Sequence, residues 1–149
     1  MRRWRIFSDD EGTAPLEFIL AGMLLLVPIV YLIVSLGLIQ EQSLGVESGA
    51  RHLARAIATA PDAASARDRA DAVADSIVDE YGIDRDELDV AISCRPAGEC
   101  PRAGATLVVT VTTRAALPLV PPVLQLDRLA SVPLSASSAA KVSRLWGQG

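Results

Sequence analysis

Residues 12–39 read GTAPLEFILAGMLLLVPIVYLIVSLGLI, and the fold follows from what can surround such a stretch. Between Phe18 and Ile39 it holds 22 residues without one charge, interrupted only by Gly22, Pro28, Ser35 and Gly37. At about 1.5 Å per residue a helix of that length covers about 33 Å, close to the apolar thickness of a bilayer. A cleaved secretory signal has an apolar region of about 7–15 residues that ends at small side chains. This run is longer and exits into Gln40, Glu41 and Gln42, so an uncleaved anchor is expected. Pro28 removes one backbone donor inside it and marks the place for a kink.

Upstream, Arg2, Arg3 and Arg5 form the one basic cluster of the chain, directly before the apolar run. An excess of Arg marks the cytoplasmic side, and acidic neighbours such as Asp9, Asp10 and Glu11 count for little in that rule. The expected location is the cell membrane, in a single pass, with the N-terminus cytoplasmic and the C-terminal part extracytoplasmic. The lipid bilayer is then the first partner.

Downstream, the helical pattern continues past the span. Val46, Ala50, Leu53 and Ile57 keep one apolar stripe, while Glu47, Arg51 and Arg55 follow at four-residue intervals. The spacing predicts one helix over about 14–60, with its outer half as an extracytoplasmic stalk. Pro61 breaks it, and Asp62 is placed to cap a second, amphipathic helix that ends at Tyr81 before Gly82. Its apolar face is Ala66, Ala70, Val73, Ile77 and Tyr81; Arg67, Asp68, Arg69, Asp71, Asp75 and Asp79 form the wet side.

Beyond Gly82 the period changes from helical to alternating. Leu88, Val90 and Ile92 share one face of a first strand, and residues 105–113 are rich in β-branched side chains. These two strands read as a hairpin. Pro118, Pro121 and Pro122 turn residues 117–126 into an extended crossover, and a last strand is expected near 130–142. Within the crossover, Leu117, Leu119, Val120, Val123 and Leu124 either cover the sheet or offer an edge to a partner. Trp146 reads equally as an anchor or as part of a frayed tail. The fold class is therefore α+β and membrane-anchored: a long N-terminal transmembrane helix, a second amphipathic helix and a small antiparallel β-sheet. The divisions are a basic leader at 1–12, the long helix at 13–60 with its span at 18–39, and an extracytoplasmic α+β domain at 61–149.

Composition narrows the function. With a net charge of −4 and its cations scattered singly, the chain has no basic track for a phosphate backbone, so no nucleic acid partner is expected. His52 is the only histidine, which leaves no material for a catalytic triad, and no Gly-rich phosphate loop with Lys is present. Neither an enzyme activity nor a cofactor is expected. Cys94 and Cys100 flank RPAGE at 95–99, a turn-forming loop that would set them opposite each other on antiparallel strands within disulfide reach. Free thiols and a metal site are the alternatives, the latter short of ligands; no metal is expected. The acidic run Asp84, Asp86, Glu87 and Asp89 lacks the Gly and terminal Glu of a calcium loop and reads as a solvated turn.

The junction of leader and span carries the functional argument. Gly12, then Thr13, Ala14, Pro15, Leu16, and then Glu17 and Phe18 set a side-chain-free residue, a four-residue step and a single carboxylate before the apolar helix. A protease at the cytoplasmic face would meet Gly12 without obstruction, and the amine released at Thr13 would lie one turn from Glu17. A carboxylate deep in a bilayer costs about 2.5–3.5 kcal/mol or more unless paired. Taken alone, Glu17 also fits an interfacial residue of a generic anchor.

Gly12 followed by Leu16-Glu17-Phe18 at the head of the span resembles the class III prepilin signal of type IV pilus systems. More narrowly, the chain is similar to the TadE-like family of minor pseudopilins, whose first helix commonly carries a Gly-Ala-Arg matched here by Gly49-Ala50-Arg51. The resemblance covers residues 12–58. Met23 stands where that family often has proline, and Pro15 lies beside the cut. The resemblance implies cleavage by a prepilin peptidase between Gly12 and Thr13, and assembly through Glu17 and Phe18 with other pilin-like subunits and a pilus assembly platform. The ninety residues after the first helix fit a minor subunit of a tight-adherence pilus, TadE-like or TadF-like, better than a short major fibre subunit. The alternative is an unprocessed single-pass envelope protein with a small partner-binding domain.

Overall fold

Helix α1, Ala14–Ala58, runs unbroken through Pro28 in a computed structural model that describes residues 14–118, 120 and 130–148. The chain divides into two units, Met1–Leu36 and Gly37–Gly149. In the described part of the first, α1 is apolar and largely exposed, Phe18 80% and Leu24 78%, with Ser35 buried and Tyr31 half-buried. Each such side chain left in water forgoes about 1.5–3 kcal/mol of burial. The helix is long and apolar enough to cross a membrane.

In the second unit the same helix changes character. Val46, Ala50, Leu53, Ala54, Ile57 and Ala58 are buried in the core, while Glu47, Arg51 and Arg55 stay in water. The stretch expected as a stalk is therefore not bare: this half of α1 packs as the spine of the unit Gly37–Gly149. The apolar stripe at positions 46, 50, 53 and 57 is the interior face of a packed helix.

Helix α2, Ala63–Tyr81, starts where Asp62 accepts a hydrogen bond from the Ser65 amide at 2.8 Å, and ends at Gly82 in the left-handed conformation, φ 59°. Ala66, Ala74 and Ile77 are buried, with Ala70, Val73 and Tyr81 packed beside them. Two glycines let α2 approach α1. A Cβ on Gly45 would lie 2.5 Å from Tyr81 Cγ, and one on Gly49 would lie 2.6 Å from Ile77 Cδ1. Gln42 Nε2 adds a hydrogen bond to the Gly82 carbonyl at 3.2 Å.

A single 3-10 turn, Arg85–Glu87, leads into the strands β1, Asp89–Arg95, β2, Thr106–Ala116, and β3, Ser131–Lys141. They form an antiparallel sheet in the order β1-β2-β3. Leu107, Val109, Val111, Thr113 and Ala115 alternate inward along β2 and are buried. The opposite face is polar and small, with Thr110 Oγ1 and Ser137 Oγ 2.8 Å apart. Leu88, just before β1, and Val90 on it pack on the core, but Ile92 at the sheet edge stays 43% exposed.

The C-terminal segment is tied down, so the frayed-tail reading is corrected. Ser143 N–H donates to the Ala58 carbonyl at 3.2 Å and Gly147 N–H to that of Pro61 at 2.8 Å. Trp146 packs, half-buried, against the core. Of the expected crossover, Leu117, Pro118 and Val120 are described and half-buried, and the Leu117 amide donates to the Ala130 carbonyl at 3.1 Å. Leu119, Val123 and Leu124 lie outside the described residues.

Candidate functional site

Glu17 sits in the first turn of α1, exposed, with Leu16 and Phe18 exposed beside it. A carboxylate in a first turn faces the positive end of the helix dipole and the free amides there. The apolar surface begins at once: between residues 16 and 38 sixteen large apolar side chains are exposed around the circumference. The site is thus one acidic group at the head of an otherwise uncharged apolar rod. Gly12 and Thr13, the expected processing pair, lie outside the described residues.

The Gly49-Ala50-Arg51 triplet acquires three separate tasks. Gly49 admits Ile77 of α2, Ala50 is buried in the core, and Arg51 projects outward to pair with Glu47 one turn earlier. His52 is exposed on the same helix.

Cys94 and Cys100 are joined, with Sγ atoms 2.05 Å and Cα atoms 5.5 Å apart. They do not face each other across the sheet as expected. Cys94 stands opposite Leu107, and Cys100 lies in the loop before β2 begins. Pro96 and Pro101 have no amide to donate, so the ladder does not extend to them and the bridge closes the loop on itself. Arg102 Nη2 braces that loop by donating to the Pro96 carbonyl at 2.9 Å. The acidic run forms the solvated turn: Asp84 accepts from the Asp86 amide at 2.9 Å, and the carboxylates stay exposed. Among the described residues, no group of three His, Cys, Asp or Glu side chains is placed to hold a metal ion.

One feature escaped the sequence reading. An open groove of about 330 Å³ runs between α1 and β3, lined by Arg51, Ala54, Arg55 and Ala58 on one side and by the end of β3 on the other. The four-residue spacing of Arg51 and Arg55 was legible, but the approach of β3 to them depends on the β2–β3 register. No protein-family model, no curated protein and no solved structure matches the chain.

Proposed function

We propose that this chain is a minor pilin-like, TadE-like structural subunit of a tight-adherence type IV pilus, matured by a prepilin peptidase. The observation that carries the reading is the exposed apolar surface of α1 between residues 16 and 38 with Glu17 in its first turn. Such a surface needs a bilayer, a bundle of like helices, or each in turn. A lone carboxylate at its head suits that sequence of environments, because the amine freed at Thr13 neutralises it in the helix bundle. The chain then sits in the cell membrane with its N-terminus cytoplasmic, and the unit Gly37–Gly149 works outside as a structural part, without catalysis.

Intact-mass analysis of the protein from membranes of cells that contain a prepilin peptidase tests this. The expected mature chain begins at Thr13. A chain that keeps residues 1–12 in those cells refutes the pilin reading and leaves an unprocessed membrane-anchored envelope protein.

A further inference from the structure

Charge is segregated along this chain. Residues 62–89 carry ten acidic and three basic side chains, whereas residues 90–149 carry two acidic and six basic ones. On α2, Asp71, Asp75 and Asp79 are exposed one turn apart, away from the buried Ala66 and Ile77. Like charges at that spacing repel. Among the described residues the single ion pair on this ladder is that of Asp75 with Arg85, at 3.5 Å.

The matching cations lie on the opposite flank of the helical layer. Arg51 and Arg55 are two and six residues past Gly49, so they point about 200° and 240° around α1 from the glycine that admits α2. Both line the groove between α1 and β3. Arg51 is paired with Glu47, while Arg55 makes no ion pair among the described residues. Arginines four residues apart and aspartates four residues apart repeat at the same pitch, about 6 Å along their helices. The basic flank of α1 cannot meet the acidic flank of α2 in its own chain, because the two helices pack together between them.

We propose that the groove lined by Arg51 and Arg55 receives the Asp71, Asp75 and Asp79 ladder of a second copy of this chain. This rests on the function proposed above in one respect: copies anchored through the same end of α1 share one direction across the membrane. Side by side, each then presents its acidic flank to its neighbour's basic groove. The contact is heterologous, using two different surfaces of each copy, so it builds an open row instead of closing into a pair.

Cross-linking of the full-length protein in its own membranes tests the pairing. Two differently tagged variants, R55C and D75C, are coexpressed and treated with a mild oxidant. The expected product is a dimer of R55C with D75C, at least about tenfold more abundant than either variant's dimer with itself. It should weaken in 1 M salt, where the screening length is about 3 Å. A mixed yield no higher than the self-dimers overturns the proposal. In a second arm, tagged copies that all carry R51E and R55E should lose co-purification, and adding D71K and D75K to the same chain should restore it. Loss without restoration counts against the pairing. N-terminal mass is read on the same material: a chain cut after Gly12 that fails to cross-link overturns this interface alone, and an uncut chain that cross-links overturns the pilin reading alone.

Discussion

Replacing Gly45 by Ala probes the closest approach of α1 and α2. The new Cβ would lie 2.5 Å from Tyr81 Cγ, 2.8 Å from its Cβ and 2.9 Å from its Cδ2. Ordinary carbon contacts are about 3.5–4.0 Å, so the last turn of α2 has to retreat by about 1 Å. A rotamer change cannot relieve this, because Tyr81 Cβ is fixed to the backbone. Overpacking of this kind costs about 1–3 kcal/mol, and the better helix propensity of Ala returns about 1 kcal/mol. The net expectation is a loss of about 1 kcal/mol, or about 4 °C in melting temperature for a domain of this size. The retreat should also strain the Gln42 hydrogen bond to the Gly82 carbonyl. Gly37 is the control: it is interior to the same helix with nothing within 4 Å of an added Cβ, so Gly37→Ala should not destabilise. Gly49→Ala should fall between, since its clash is with the tip of Ile77. Thermal unfolding of the full-length variants in detergent, followed by near-UV circular dichroism, decides the order. A Gly45→Ala protein that melts at or above the parent refutes the packing argument.

Three further outcomes are expected. Cys94 and Cys100 should resist alkylation until reductant is added, and their joint replacement by Ala should cost about 2 kcal/mol from the lost loop constraint, measured by denaturant unfolding. Asp62 is held below the usual carboxylate range first by the Ser65 amide and then by the Ser65 hydroxyl, the Ala64 amide and Arg69, against some desolvation. Its folded form favours the charged carboxylate, so its contribution is present above the unfolded value and fades as pH falls through the lowered one; the gap in melting temperature between the parent and Asp62→Ala should close below about pH 4. A fragment of residues 61–149 should fail to fold cooperatively while one of residues 40–149 folds, because only the longer fragment keeps Leu53 and Ile57; native-like near-UV circular dichroism from the shorter fragment refutes this.

Where local chemistry decides a conformation, the residues announced it. Asp62 and Gly82 bracket α2 because a side-chain acceptor and a left-handed residue are needed at those two ends, and both are visible in the residue order. The alternation of β2 was visible for the same reason. Ile92 shows the limit: it alternates correctly, yet it stays 43% exposed at the outer strand. Strand order decides its burial, and alternation carries no information about strand order. The bridge loop behaves alike, since the spacing of Cys94 and Cys100 announces a short ring but the missing amides of Pro96 and Pro101 set where the ladder begins.

The packing partner of the second half of α1 was hidden for a different physical reason. A stripe of Val46, Ala50, Leu53 and Ile57 opposite Glu47, Arg51 and Arg55 is what a half-wet helix needs, and such a stripe cannot be stable bare in water for three turns. It requires a covering surface, which α2 and β2 provide through Ile77, Leu107, Val109 and Val111. The first half of α1 has no charged flank between Phe18 and Leu36 and is long and apolar enough to cross a membrane. The two halves differ in the width of their apolar surface: the full circumference before Gly37, one stripe after Gln42. Read by stripe width, the change in the helix's surface falls near Gly37, where the second unit begins. Helix breakers report a different thing, the place at Pro61 where the chain turns. The width of the stripe is the better guide to packing because it records how much of the helix circumference is apolar.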